Sequence, residues 1–327
     1  MNCIFCGRTF RYAERRFYVF GNGINGESCR ECWEVRFGRC SQCGDSHWRE
    51  NLRTTHDNTI LCHRCYRHYS PIGNYHSNPE PEFHRLEYEN TRYFGIELEV
   101  ETMKANLREL AVEFKKFLSQ LGINNKLFIK SDGSLNNGFE ICTQPTTLQF
   151  AHKSLYLYEI LQWLRFNGFF SYEEGRCGLH IHFSLFDLKP SHKRKLRIFV
   201  NKCQSHLKRF SKRKSFSYCQ FTDLLDTNGV EDVKEFAQDG RYHALNINTQ
   251  KSTYEMRVFR GTLDHPRFLA SLQFTDAMIE FCKVAGESFL WVSPEEMIWD
   301  EFMRFTKEQN RYHHFVKYTK KHNLERG

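Results

Sequence analysis

Four CxxC pairs crowd the start of the chain: Cys3/Cys6, Cys29/Cys32, Cys40/Cys43 and Cys62/Cys65. The first and third run into glycine, "CIFCGR" and "CSQCGD", while "CRECWE" and "CHRCYR" open stretches able to begin short helices. This is an internal repeat of a knuckle pair followed by a helix-start pair. CxxC offers two thiolates to one ion from a tight turn, and two such turns complete a tetrahedral zinc site. Glycine after the knuckle permits the backbone dihedrals the turn needs. The simplest grouping is sequential, Cys3, Cys6, Cys29, Cys32 and then Cys40, Cys43, Cys62, Cys65, with crossed pairing of the LIM type left open. Sites of four cysteines have no open coordination position, so two structural Zn²⁺ ions are expected in a double zinc-ribbon or treble-clef-like module. His47, His56, His63 and His68 read as bystanders. With so little apolar sequence, the segment depends on metal to fold.

The chain has 327 residues, long enough for more than one domain and a sizeable core. Thirty phenylalanines assign much of that core to aromatic rings. A formal charge of +8 is compatible with phosphate-bearing partners without demanding nucleic acid. No apolar run approaches the roughly 20 residues of a membrane helix, and no signal-peptide pattern opens the sequence. Reduced thiols in a cytoplasmic protein without membrane contact are therefore expected. Residues 1–70 read as the zinc module and 71–84, "SPIGNYHSNPEPEF" with three prolines, as a linker. Residues 85–327 read as a second domain.

That domain carries a recurrent pattern. In "YFGIELEVE", Ile96, Leu98 and Val100 share one face of a strand, and Glu97, Glu99 and Glu101 share the other. "CGLHIHFS" places His180 and His182 opposite Leu179, Ile181 and Phe183 in the same way. Glu255 and Arg257 alternate with Met256 and Val258, and Asn246 and Asn248 share a face of the strand before them. Glu140, between Phe139 and Ile141, is a single instance. Helices are expected over Leu107–Leu121 with Gly122 at the cap, over roughly 149–167 ended by Gly168, over about 191–214, and after Pro266 and Pro294. If the strands form one antiparallel sheet, one face packs on helices and the other gathers carboxylates and imidazoles. Converging carboxylates repel unless compensated. Mg²⁺ or Mn²⁺ prefers oxygen ligands and tolerates imidazole, and two such ions suit chemistry at a phosphate.

The order of "GIELEVE", "SDGSLNNGFEI", "CGLHIHFS" and "LNINTQKSTYEMRVFRGTL" resembles the amidoligase family, found often in phages and bacteria. The resemblance runs from about Phe94 to Thr262 and leaves out the cysteine module. It implies an α+β fold related to glutamine synthetase and glutamate–cysteine ligase: a curved antiparallel sheet with helices on its convex face. It also implies an ATP-dependent carboxylate–amine ligase that forms an acyl-phosphate and then an amide. On this resemblance Glu97 and Glu99 each serve a different metal, Glu140 joins Glu99, and His180 and Glu255 join Glu97. His182 and Ser184 approach the ATP phosphates, Asn246 and Asn248 contact nucleotide or substrate, and Arg257 with Arg260 stabilises the phosphoryl group. A further carboxylate is expected at the Glu99 metal, with Glu101, Asp132, Glu173 and Glu174 as candidates. No lid segment is evident.

The basic stretch "KPSHKRKLRIFVNKCQSHLKRFSKRKS" carries an apolar stripe of Leu196, Phe199, Val200, Cys203 and Leu207 beneath a cationic face. A solvated face is its plain reading, and an acidic partner its sharper one. Cys142, Cys177, Cys203, Cys219 and Cys282 read as small core residues with no nucleophile context. Substrates on this reading are an amine and a carboxylate, including those of peptides or proteins. The alternatives are a metal-dependent nuclease or zinc-module nucleic-acid-binding protein, using the module's arginines or the basic helix, and an inactive ligase-like scaffold.

Overall fold

A computed structural model of the chain describes residues 1–11, 14–21, 24–55, 59–76, 78–86, 92–172, 175–222, 242–248 and 253–325. The chain divides into two compact units, Met1–Pro71 and Ile72–Gly327.

The first unit repeats one plan. A knuckle at Cys3/Cys6, closed by the Asn2–Thr9 bridge, precedes a hairpin of β1 (Phe17–Gly21) and β2 (Ile24–Ser28) and then helix α1 (Arg30–Arg36). The second copy sets its knuckle between β3 (Phe37–Arg39) and β4 (Ser46–Trp48). It continues with a hairpin of β5 (Leu52–Thr54) and β6 (Ile60–Cys62) and with helix α2 (His63–His68). Gly7 and Gly44 adopt φ of +72° and +75°, and the N–H of each donates to the carbonyl of the first knuckle cysteine. That is the backbone role the sequence assigned to them. A ladder of stacked rings, Phe17 on Trp33 and Trp33 on Phe37, continues through Phe37 to Trp48 and joins the two copies. The purely apolar core is small: around Cys40, Cys62 and Cys65 it adds little more than Leu61 and the half-buried Leu52, Tyr66 and Tyr69.

The second unit is built on a mixed arrangement of helices and an antiparallel sheet. Its strands are β7 (Tyr93–Thr102), β8 (Leu127–Lys130), β9 (Gly138–Thr143), β10 (Thr146–Thr147), β11 (Phe169–Phe170), β12 (Gly178–Ser184), β13 (Leu245–Asn248) and β14 (Thr253–Arg260). The order across the sheet is β13-β14-β12-β7-β9-β8, with β10 and β11 pairing the two ends of β7. Period-two alternation sends Phe94, Ile96, Leu98, Val100, Leu179, Ile181, Phe183, Met256 and Val258 into one core. Helices supply the rest: α3 (Leu107–Gln120), α4 (Leu148–Ser154), α5 (Leu157–Phe166), α6 (Pro190–Lys202), α7 (Gln204–Ser211), α8 (His265–Val284), α9 (Glu287–Val292), α10 (Glu295–Lys307) and α11 (His313–Lys321). From Phe268 to Ile279 every residue of α8 is buried, so α8 is the central helix around which others pack. Among the described residues no helix is long and apolar enough to cross a membrane.

Two expectations need correction. The helix expected over 149–167 is two helices, α4 and α5, because Tyr156 takes a left-handed φ of 49° between them. That turn lets Leu155 and Leu157 both enter the core, which a continuous helix would not allow. The long basic helix is likewise two, α6 and α7, joined at Cys203 (φ −92°, ψ 28°). The anticipated stripe survives the break, since Leu196, Phe199, Val200, Cys203 and Leu207 are all fully buried. Within residues 71–84 the chain runs beside the sheet. Gly73 exchanges backbone hydrogen bonds with Ile129 and Ser131, and His84 with Pro145 and Thr147.

Much of the basic stretch is committed internally. Lys195 is buried and its Nζ donates to the carbonyls of Lys283 and Ala285, closing the C-terminus of α8. Arg194 forms a bidentate pair with Glu287 at 3.0 and 2.9 Å. Arg213 donates to the carbonyls of Arg257 and Phe259.

Candidate active site and metal centres

The polar face of the sheet is assembled row by row from register. On β7 and β12, Glu97 stands opposite His180, and Gly95 opposite His182. On β14, Glu255 stands opposite both His182 and Asn246 of β13. On β9, Glu140 stands opposite Glu99 and, across its other edge, opposite Lys130. Six strands thus deliver carboxylates, imidazoles, cations and, from β13, an amide to one surface.

The central cluster is Glu97, His180 and Glu255, whose ligand atoms all lie within 4.8 Å of one another. His180 Nδ1 is 3.8 Å from Glu97 Oε2 and 3.5 Å from Glu255 Oε1, and its Nε2 is 3.9 Å from Glu99 Oε1. His182 reaches the same pair, with Nε2 3.3 Å from Glu97 Oε1 and 4.0 Å from Glu255 Oε1. The two imidazoles therefore share one carboxylate pair, where the family resemblance gives them separate duties. Arg257 donates to Glu255 Oε1, and Asn246 Nδ2 to Glu255 Oε2 at 3.2 Å. Ser184 Oγ accepts from the Tyr93 backbone N–H. The side chain of Asn248 lies outside the described residues.

A second cluster joins Glu97, Glu140 and Cys142, again within 4.8 Å. Cys142 is buried as expected, but on the polar side, because it shares the parity of Glu140 along β9. The alternation that marked Glu140 carried this signal too. Lys130 Nζ sits 3.1 Å from Glu140 Oε2 and 3.7 Å from Glu97 Oε1. Sequence reasoning missed Lys130, whose place as the last polar-face residue of "LFIK" follows only from its register with Glu140. Glu99 turns toward the end of β12, accepting from the Gly178 N–H at 2.5 Å. Glu101 Oε1 accepts from the Asn136 N–H at 2.7 Å and its Oε2 lies 3.5 Å from Arg176. Asp132 is half-buried and accepts from the Ser134 N–H. Glu173 and Glu174 lie outside the described residues.

Two local features hold this geometry. The β12–β14 pairing slips between Leu179 and Ile181, so Arg257 and Val258 together face the single residue His180. This bulge sends both Val258 and Phe259 into the core and returns Arg260, opposite Gly178, to the polar face. The Arg257 and Phe259 carbonyls beside the bulge are the ones that Arg213 satisfies. Arg260 lies over the Tyr172 ring, 5.5 Å from its centroid. At Gly178, any Cβ would stand 2.5 Å from His180 Nε2, so glycine there makes room for the imidazole.

Electrostatics follow from burial and neighbours. Burial alone would raise the Glu97 carboxyl, but His182, His180 and Lys130 hold it well below the ordinary carboxylate range. Glu255 is lowered in the same way, with His182, His180 and Arg257 outweighing burial. Glu140 goes the other way, pushed up to about 9 by burial and by the Glu97 charge despite Lys130. Two carboxylates around one ammonium thus divide into a firmly ionised partner and a reluctant one. Buried carboxylate oxygens with an imidazole nitrogen form a donor set that suits Mg²⁺ or Mn²⁺.

In the first unit the structure groups Cys3, Cys6, Cys29 and Cys32, and separately Cys40, Cys43, Cys62 and Cys65. The Cys6–Cys29 and Cys43–Cys62 sulfurs are 3.8 and 4.0 Å apart. Four Zn–S bonds of about 2.3 Å at tetrahedral angles require about 3.8 Å. Burial would raise Cys3, yet the N–H groups of Cys29, Cys6 and Phe5 bring it down to about 6. Burial and the neighbouring thiols instead push Cys32 up to about 12. Cys40 and Cys65 repeat the contrast at about 6 and about 12. Four thiolates are not stable together without a cation, and zinc fits both seats. His47 is no remote bystander, since its Nε2 lies 4.0 Å from Cys43 Sγ.

Residues 185–279 match the model of a family described as "Putative amidoligase enzyme". The resemblance to the amidoligase family is borne out. The matched stretch contains β13 and β14, with Asn246, Glu255, Arg257 and Arg260, while the Glu97 and His180 strands precede it. None of the curated proteins matches the chain. Among solved structures, the chain is similar to one titled "Crystal structure of the complex between Prokaryotic Ubiquitin-like Protein Pup and its Ligase PafA". Identity is 11%, the TM-score is 0.34, and the likeness covers 70% of this chain and 58% of that one.

Proposed function

We propose that the protein is an ATP-dependent carboxylate–amine ligase working through an acyl-phosphate at a two-metal site. The observation that carries this reading is the convergence of Glu97, His180 and Glu255 within 4.8 Å on a buried polar sheet face, with Arg257 on Glu255. The amidoligase match over the Glu255–Arg257 strand supports it. The sheet is read as the curved type of the glutamine synthetase group with helices on its convex side, in a catalytic domain over 85–327. Residues 1–70 are read as a structural zinc module.

Glu97, His180 and Glu255 hold one divalent ion in this proposal, and Glu99 with Glu140 the other. When bound, such ions supply charge neutralisation at the phosphates. A substrate carboxylate oxygen attacks the γ-phosphorus of ATP, and ADP leaves. The amine nitrogen then attacks the acyl carbon, the amide C–N bond forms, and phosphate departs with the C–O bond electrons and takes up the proton the nitrogen gives up. Arg257 and Arg260 face the transferred phosphoryl group, where a fixed guanidinium favours the developing charge. His182, Ser184, Asn246 and Asn248 line the nucleotide side. The substrates are an amine and a carboxylate, with peptide or protein side chains among them. The family match lends no support to the nuclease or nucleic-acid-binding alternatives.

The test is a thermal-shift screen with ATP and Mg²⁺, followed by ADP release across an amine and carboxylate panel. Release that requires Mg²⁺ and both acceptors is the expected result. Steeply salt-dependent DNA binding with no ATP binding would overturn the reading. An inactive scaffold would bind neither ATP nor divalent metal at saturation.

A further inference from the structure

The Glu97–Glu140 side of the polar face already contains a cation of its own. Lys130 Nζ lies 3.1 Å from Glu140 Oε2 and 3.7 Å from Glu97 Oε1, and the residue is only 6% exposed. Its burial has a structural cause. The Gly73–Lys130 bridge lays the chain before β7 along the outer edge of β8, through hydrogen bonds between Gly73 and the backbone of Ile129 and Ser131. That segment also brings the Tyr75 ring to 5.8 Å from Nζ, a second group that attracts a cation. Glu97 belongs at once to this pocket and to the Glu97–His180–Glu255 cluster.

We propose that Lys130 is a tethered cation seated between Glu97 and Glu140, so that a divalent ion enters that seat only by displacing it. The two sides of the polar face are then unequal. On the Glu97–His180–Glu255 side the resident cation, Arg257, pairs with Glu255 alone and leaves Glu97 and the His180 imidazole for a divalent ion, while the Glu140 side is held by a lysine that reaches both of its carboxylates. An ammonium and a divalent ion do not share a seat between two carboxylates, because both need the same oxygens and repel one another. This inference rests on the ligase reading for the identity of the first metal position, and it concerns the Glu97–Glu140 seat, which shares only Glu140 with the second position proposed above.

The experiment measures Mn²⁺ bound per chain by calorimetry and electron paramagnetic resonance, on the full zinc-loaded chain without nucleotide. Wild type is expected to bind one Mn²⁺ and Lys130→Met a second, while Lys130→Arg, which keeps the cation, stays at one. Lys130→Met combined with Glu140→Gln is expected to return to one, since the vacated seat then lacks a carboxylate. Lys130→Arg and the double variant keep the proposal falsifiable if Lys130→Met alone folds poorly: a second Mn²⁺ in Lys130→Arg, or two in the double variant, would overturn it. One Mn²⁺ in both wild type and Lys130→Met, with ADP release intact in wild type, would overturn this proposal and leave the ligase reading standing. No Mn²⁺ in wild type and no ADP release would remove the ligase reading and this inference together.

Discussion

His180 and Glu97 face each other directly across β12 and β7, and the imidazole Nδ1 lies 3.8 Å from the carboxylate. The pairing places a half-buried acid in the midst of three cationic or imidazole neighbours, His180, His182 and Lys130. Glu97→Gln keeps the shape and removes the charge. ADP release should fall by at least about 10²–10³-fold, the scale of losing one fixed electrostatic group at a reaction centre. Circular dichroism should show an intact fold. Wild-type release in this variant would place the chemistry elsewhere.

Gly178 offers a subtler probe of the same imidazole. Gly178→Ala would put a Cβ 2.5 Å from His180 Nε2, and the ring, as the movable partner, must swing aside. Gly95→Ala is its control, because a Cβ there meets only the His182 Cβ at an ordinary 3.6 Å. Mn²⁺ affinity should drop by about 10–100-fold in the first variant, the scale of disturbing a ligand's orientation, and change little in the second. Equal affinities in the two would show that His180 has room to spare.

The alternation of Glu97, Glu99, His180, His182 and Glu255 against apolar neighbours was legible because a strand's period is two and a buried face tolerates no exceptions. The cysteine repeat was legible for a similar reason, since ligand spacing is local. Lys130 was hidden because a single lysine ending an apolar run looks like a solvated strand end, and only pairing with Glu140 gives it a direction. Arg260 is a related case. Simple alternation from Glu255 and Arg257 would send it to the core, and the bulge opposite His180, a tertiary feature, reverses that. The breaks at Tyr156 and Cys203 lack a glycine or proline to announce them. Packing of Leu155 and Leu157 on one core decides the first.

The zinc module should come apart by itself when its metal is removed. Its apolar core is thin, and its sulfurs stand at zinc spacing around each centre. A strong chelator, or Cys29→Ser with Cys62→Ser, should make residues 1–71 protease-sensitive while residues 72–327 keep a cooperative unfolding transition. Metal analysis of the untreated protein should return two zinc ions per chain. Protection of the module after complete zinc loss would mean that the aromatic ladder through Trp33 suffices.

Arg92 holds the start of β7 against α8 with a buried guanidinium, donating to Asp187, to Asp276 at 3.1 Å and to Glu280 at 3.0 Å. Burial would raise Asp187 and Glu280, but Lys283 and Arg92 bring both below the ordinary carboxylate range. Depressed folded-state values mean that their contribution is complete above the unfolded range of about pH 4. It is lost as pH falls from there through the folded values. Asp276, raised by burial, works in the opposite sense. Arg92→Met leaves three carboxyls with less compensation, and should destabilise the unit by about 3–5 kcal/mol near neutral pH. The remaining carboxyls then titrate higher, so acidification relieves their repulsion in the variant before it harms wild type. Urea unfolding of the two proteins as pH is lowered should show the gap between them narrowing. A gap independent of pH would assign Arg92 to packing and not to charge.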